Sequence, residues 1–307
     1  MTGSPSYAAP RTVVEAVDLL AATPGAAAVA GGTDLVVGVR QGKHRWPAAL
    51  VAVHEIAELR GIKADERSAG ALRLGALATH AEIAADRRVL AAFTALADAS
   101  AIVGSPATRA NGTIGGNVAN ASPAMELGAP LLVHGAEISL AHTGGTLRLP
   151  FADFLLGPGR TVARPGELVV ALHLPAPAPQ SGSAYVRLQY RRAMEIAVVG
   201  AAAWVALAED GTIAAAHIAL TAVAPTCILV PAAAAALVGS LPSEAALAEA
   251  AALATAAASP IGDVRASAAY RTAQIPVAVR RALGAAVLRA RGDHAAAPVP
   301  QSNAWSP

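Results

Sequence analysis

Apolar positions return at helical spacing behind Thr12, and Thr12-Val13-Val14-Glu15 has the form of a capping box, which predicts a helix through Leu20. Residues 26–30 form a small apolar run suited to a buried strand. The run breaks at Gly31-Gly32, after which Thr33 is placed to cap a helix beginning near Asp34, and residues 49–53 read as the next strand. A second α/β stretch, 56–175, has a strand at 72–75, a capping box at Thr79 to Glu82, a helix over about 87–102, a glycine loop, an apolar segment to Val133, and strands near 136–142 and 167–174. The uncharged, proline-rich run 175–182 reads as a linker. Beyond it the order changes to strands at 184–190, 196–207 and 213–223, with a turn at Glu209-Asp210-Gly211. Helices follow near 232–238, 244–257 and 267–291, the last broken or restarted at Pro276. Strands followed by helices indicate an α+β domain. The pattern divides the chain into 1–55, 56–175 and 183–292, with 293–307 as a disordered tail.

Composition narrows the class. Hydrophobic residues make up 54% of the 307, mostly through alanine, and the longest uncharged apolar stretch, 196–208, falls short of the roughly 20 residues of a spanning helix. No transmembrane protein is expected. The N-terminus shows no charged segment followed by an apolar one, so a cytoplasmic protein is the default. Twenty-three basic against 21 acidic residues give a net charge of +2, which argues against a nucleic-acid surface. Eight histidines are scattered without HxxxH or HxH pairing, and Cys227 is the lone cysteine. The chain therefore has no ligand set for a metal of its own and cannot hold an iron–sulfur cluster through cysteines.

The candidate chemistry lies in two glycine loops. Ala30-Gly31-Gly32-Thr33-Asp34 joins a strand to a helix, and Thr113-Ile114-Gly115-Gly116-Asn117 repeats the chemistry about 80 residues later. Glycine lets backbone N–H groups approach a phosphate closely and permits positive φ. Two such loops suit a pyrophosphate, although either alone is often only a tight turn. GxGxxG at a strand–helix junction, GxxxxGK[ST], GxSxG and HExxH are all absent, which removes Rossmann, P-loop, α/β-hydrolase and zincin readings.

Taken together, "AGGTDLVVGVR" and "GSPATRANGTIGGNVANASPAMELGAPLLVHGA" resemble the two FAD-binding segments of the flavoprotein (medium) subunit of molybdenum hydroxylases, the family of aerobic carbon monoxide dehydrogenase and bacterial xanthine dehydrogenases. "LRLGALATHAEIA", "PGELVVALHLP", "YVRLQYRRAMEIAVVGAAA" and "DVRASAAYRTAQIPVAVRRAL" extend the resemblance over residues 6–290 or so. It implies an α+β architecture: a two-subdomain FAD-binding fold of the vanillyl-alcohol-oxidase/cresol-methylhydroxylase type, then a C-terminal α+β domain. By position it implies that Ala30, Gly31, Gly32, Thr33 and Asp34 form one pyrophosphate loop and Thr113, Ile114, Gly115, Gly116 and Asn117 the other. Ser122 falls on the flavin side. Glu126 stands where relatives have an aspartate bonded to the FAD polyol chain. Val169 and Arg187, the latter where relatives often carry lysine, fall near the isoalloxazine. Plainer roles stand beside these: Asp34 as a first-turn helix acid, Glu126 as a solvated helix residue and Arg187 as a strand-surface charge. The basic helix end of Arg280, Arg281, Arg289 and Arg291 reads as a complement to a helix C-terminus or as a solvated face.

The resemblance further implies that substrate chemistry occurs at a molybdenum–pterin site on a large subunit. Electrons then pass through 2Fe–2S clusters on a small subunit to FAD here and leave to NAD, a quinone or oxygen, with the subunits arranged as a dimer of heterotrimers. No side chain of this chain is then catalytic. Two other readings stay open: a free-standing flavin reductase resembling the enolpyruvyl-UDP-N-acetylglucosamine reductases, and an assembly subunit that has lost FAD. The "YRRAMEIAVV" and "DVRASAAYR" blocks favour the hydroxylase subunit over the reductase, and intact glycines in both loops argue against the loss of FAD.

Overall fold

The computed structural model describes residues 5–191 and 194–293. Its first part holds β1 (Ser6–Ala8), α1 (Val13–Ala22), β2 (Ala26–Val29), α2 (Leu35–Arg40) and β3 (Ala49–Ala52), with the strands in a parallel sheet of order β1-β3-β2. Thr12 caps α1 by accepting from the Glu15 N–H, and Ala16, Val17 and Leu20 form its buried stripe. The residue before α2 is Asp34, not Thr33, and its side chain makes no capping bond.

The second part contains β4 (Ile62–Ala64), β5 (Leu72–Gly75), α3 (His80–Ala85), α4 (Arg87–Ala92), α5 (Thr94–Ile102), α6 (Pro106–Asn111), α7 (Ile114–Asn120), α8 (Gly128–Val133), β6 (Glu137–His142), β7 (Gly145–Pro150), β8 (Leu155–Gly157), β9 (Arg160–Thr161) and β10 (Leu168–Leu174). Five of the strands make an antiparallel sheet, β4-β5-β10-β6-β7. The predicted 87–102 helix is two helices. Phe93 leaves helical dihedrals (φ −123, ψ 46) while its ring enters the core, edge-on to His134 at 5.1 Å. The expected loop at 113–117 is also helical, because Thr113 caps α7 by accepting from Gly116.

The third part is an antiparallel meander, β11 (Ser181–Leu188), β12 (Val199–Leu207), β13 (Ile213–Thr221) and β14 (Ile228–Leu229), followed by α9 (Pro231–Ala235), α10 (Glu244–Ala256) and α11 (Ala268–Ala290). The predicted linker ends early, since Ser181 and Gly182 already pair with Ala206 and Val205. Pro276 does not break α11. Its neighbours Ile275, Ala278, Val279, Ala282 and Leu283 are buried in one core with Val186, Ala201, Ala203 and Val205. That packing outweighs a missing helical N–H, a cost of about 3 kcal/mol. The opposite sheet face, through Tyr185, Ala202 and Ala219, joins the core of the second part. Arg289 is no solvated helix end: its guanidinium pairs with buried Asp98 at 2.7 Å and ties α11 to α5. Apart from Asp293, the predicted tail lies outside the described residues. No described helix is long and apolar enough to cross a membrane.

Candidate functional site

All three parts meet at a cleft of about 670 Å³, within the range of roughly 300–1,000 Å³ usual for small-molecule sites. The first part contributes Asp34, Val37 and His44; the second contributes Asn120, Ser122 and Pro123; the third contributes Ile196, Ala222, Asp263 and Arg271. Two of the sequence-predicted residues, Asp34 and Ser122, line it. Partial enclosure pushes the Asp34 carboxyl above its ordinary range.

The two glycine segments are brought into contact. A Cβ on Gly31 would lie 2.0 Å from the Asn111 carbonyl oxygen, so the first loop rests on the backbone leading into the second. Gly32 has φ +66, which favours glycine. Among the described residues, the N–H groups of Gly31, Gly32 and Thr33 donate to no protein acceptor. The second segment differs. Ile114 donates to the Ala78 carbonyl, Gly115 to Ala76, Gly116 to Thr113 Oγ1 and Asn117 to the Thr113 carbonyl. Its four successive N–H groups are thus engaged inside the protein, and Gly115 serves close packing, since its Cβ would meet Ala76 Cβ at 2.6 Å. Asn117 Oδ1, by contrast, is buried without a partner. Beneath this segment His80 is buried, and desolvation, with Arg109 adding repulsion, lowers its pKa to about 4.

Under the cleft-lining 120–124 turn lies a buried polar cluster. Glu126 is neither solvated nor helical. Its Oε1 accepts from Arg187 Nη1 at 2.8 Å and its Oε2 from the Tyr185 hydroxyl at 2.6 Å. Arg187, 1% exposed, is no surface charge, and its Nη1 also donates to the Glu195 carbonyl beside cleft-lining Ile196. Burial pushes the Glu126 carboxyl up, against the pull of Arg187 and Tyr185. Burial, then the Glu126 charge, raises the Tyr185 phenol well above its usual value. Gly200 makes room: a Cβ there would lie 2.5 Å from the Tyr185 hydroxyl. Val169 lies apart, buried in β10 beside a register shift, and does not line the cleft.

Pattern reading of the sequence missed Tyr185, which looks like a core aromatic, and the contribution of Asp263 and Arg271. The quoted block "DVRASAAYR" held a signal for the latter pair. Arg271 bonds Asp263 at 2.8 Å and the carbonyls of Val198 and Ala222, and so fixes the cleft wall. The residues present fit FAD: a glycine loop with unengaged N–H groups, a cleft of cofactor size, and buried polar atoms of Asn117 and Arg187 lacking protein partners.

Comparison with known proteins agrees. Residues 3–177 match the family described as FAD binding domain in molybdopterin dehydrogenase, and residues 184–286 match the CO dehydrogenase flavoprotein C-terminal domain. The chain therefore belongs to the FAD-binding subunits of the molybdenum hydroxylases, a family of oxidoreductases. It is 32% identical to the carbon monoxide dehydrogenase medium chain of Afipia carboxidovorans over 94% of this chain and 99% of that one. It is also 32% identical to the xanthine dehydrogenase FAD-binding subunit of Escherichia coli O157:H7, over 72% and 75% of the respective chains. Among solved structures it superposes on carbon monoxide dehydrogenase from Hydrogenophaga pseudoflava with a TM-score of 0.89, at 32% identity over 94% and 99%. It superposes on quinoline 2-oxidoreductase from Pseudomonas putida 86 with a TM-score of 0.87, at 30% identity over 94% and 98%.

Proposed function

We propose that this chain is the flavin relay of a molybdenum hydroxylase, working in the cytoplasm with a large molybdenum–pterin subunit and a small 2Fe–2S subunit as a dimer of heterotrimers. When bound, FAD would supply the chemistry that couples one-electron delivery from the partner's clusters to an acceptor, NAD, a quinone or oxygen. The observation that supports the reading is the cleft shared by all three parts, whose lining includes Asp34, the residue that follows the open glycine loop, and Ser122. Gly31, Gly32 and Thr33 would present their N–H groups to the pyrophosphate. Ser122 and Arg187 serve the flavin end, and the C-terminal wall shields it from water. Cys227 supports the division of labour. It is the lone cysteine, it is buried against Thr221, and burial pushes its thiol up to about 12, so cluster ligands must come from another chain. The relatives' names span carbon monoxide, xanthine and quinoline, in keeping with substrate choice residing on a different subunit.

The test is reconstitution. The purified chain should take up FAD and show an oxidised-flavin spectrum. Hydroxylase substrates should bleach that spectrum only after the molybdenum and iron–sulfur subunits are added. A chain that takes up no FAD refutes the site, and bleaching without partners refutes the relay.

A further inference from the structure

One residue of the cleft wall stands in a conformation that its side chain disfavours. Ala222 follows β13 directly, lines the cleft and has φ +67, in the left-handed region that alanine rarely adopts. A residue other than glycine stays there only where its surroundings hold it. Ala222 is held at both ends. Its N–H donates to the Pro123 carbonyl at 2.8 Å, and its carbonyl accepts from Arg271 Nη1 at 2.9 Å. The same Nη1 donates to the Val198 carbonyl at 2.8 Å, and Nη2 donates to Asp263 Oδ1 at 2.8 Å. Arg271 lies near the start of α11, buried, and joins three stretches of the cleft wall: Ile196 to Val198, Ala222, and Asp263 ahead of the helix. A guanidinium can do this because its donors are fixed in a planar fork.

The same residue ties the third part of the chain to the second. Pro123 belongs to the turn Ser122 to Ala124, which also lines the cleft. Thr221 Oγ1 donates to the Pro123 carbonyl at 2.9 Å and to the Met125 carbonyl at 3.0 Å, so the end of β13 holds this turn through two consecutive residues. Resting on the FAD reading above, we propose that Arg271 is a positioning residue for the cofactor. By binding the Ala222 carbonyl it keeps Ala222 left-handed, and the N–H aimed in that way fixes the turn that carries Ser122. Arg271 acts through the backbone and needs no contact with the cofactor. Without the guanidinium fork, Ala222 relaxes toward negative φ, its N–H turns from Pro123, and the Ser122 turn keeps only its bonds to Thr221.

The experiment uses the full chain and a cycle of Arg271→Lys and Ala222→Gly, singly and together, with Ala222→Val beside it. FAD affinity is measured by flavin fluorescence titration, and urea unfolding of the apo proteins shows which variants are folded. Arg271→Lys keeps the charge beside Asp263 but loses the fork that spans two carbonyls and a carboxylate, so it should weaken FAD roughly tenfold. Glycine adopts positive φ without a clamp, so the loss caused by Arg271→Lys should shrink to within about threefold when Ala222→Gly is already present. Ala222→Val, with Arg271 intact, should weaken FAD because a β-branched side chain resists the left-handed region. The same loss from Arg271→Lys in both backgrounds overturns the proposal, since Arg271 then serves the fold and not the Ala222 backbone. Wild-type affinity in either Arg271→Lys or Ala222→Val overturns it too, and Ala222→Val decides alone should Arg271→Lys fail to fold. Failure of the wild-type chain to bind FAD at all overturns the underlying reading instead.

Discussion

Gly31 sits so close to Asn111 that a Cβ on the glycine would lie 2.0 Å from the asparagine's carbonyl oxygen and 2.6 Å from its carbonyl carbon. The obstacle is backbone, which cannot rotate away, so Gly31→Ala must push the first loop off the end of α6. Overpacking of this kind costs about 1–3 kcal/mol, and it displaces the loop N–H groups that the proposed function assigns to the pyrophosphate. Gly31→Ala should lower the urea midpoint of the apo chain and weaken FAD at least tenfold by fluorescence titration. An alanine variant with wild-type affinity would show that the loop does not hold the cofactor.

The paired glycines of α7 should respond unequally. A Cβ on Gly115 would meet Ala76 Cβ at 2.6 Å and its carbonyl oxygen at 2.7 Å, whereas a Cβ on exposed Gly116 meets only Thr113 Oγ1, at 3.2 Å. Gly115→Ala should therefore destabilise the fold by about 1–3 kcal/mol. Gly116→Ala should be near neutral or slightly stabilising, because alanine is favoured in a helix by up to about 1 kcal/mol. Thermal melts of the two apo variants decide it, and equal losses would refute the packing account.

Two buried histidines make stability depend on pH. Burial, aided by Arg109, holds His80 at about 4, and burial, aided by His217, holds His134 at about 3. Both are neutral in the fold but take up protons near pH 6.5 once unfolded. Between those values the unfolded chain binds more protons, so stability rises with pH and is lost as pH falls from 6.5 toward 4. Each histidine should remove about 1.6 kcal/mol between pH 6.5 and 5. Urea unfolding at the two pH values measures the loss, and His80→Gln should reduce it by about half. A slope unchanged in the variant would remove His80 from the account.

Local signals made the order of elements legible. Thr12 and Thr79 cap where hydroxyl and carboxylate stand three apart, and the meander follows its alternation and its Asp210-Gly211 turn. What stayed hidden depended on distant partners. Nothing near Phe93 announces a helix break that its contact with His134 imposes. Nothing near Pro276 reveals the sheet that keeps α11 whole. The site divides the same way. The glycine segments announced close backbone approach, but not that the second spends its N–H groups on Ala76, Ala78 and Thr113. Tyr185 and Arg187 lie 59 and 61 residues from Glu126, so no local pattern could pair them.

That pairing separates two roles for Glu126. The family resemblance assigns its carboxylate to the FAD polyol chain, yet both oxygens accept from protein donors, Tyr185 and Arg187. Removing one partner of a buried ion pair leaves the other charge uncompensated, at about 3–5 kcal/mol. Glu126→Ala should therefore destabilise the apo chain by that amount in urea unfolding. It should also weaken FAD, because Arg187 loses its anchor. Glu126→Gln keeps an acceptor for the Tyr185 hydroxyl and should fall between alanine and wild type. Glu126→Asp, one methylene shorter, cannot span both partners without backbone movement and should also be intermediate in apo stability. A carboxylate that served only the polyol would behave differently: apo unfolding would be the same in all four proteins, and FAD affinity alone would drop in alanine, by roughly 5- to 150-fold. Unfolding curves of the apo proteins, set beside their FAD titrations, distinguish the two, and an unperturbed apo Glu126→Ala would return Glu126 to the polyol.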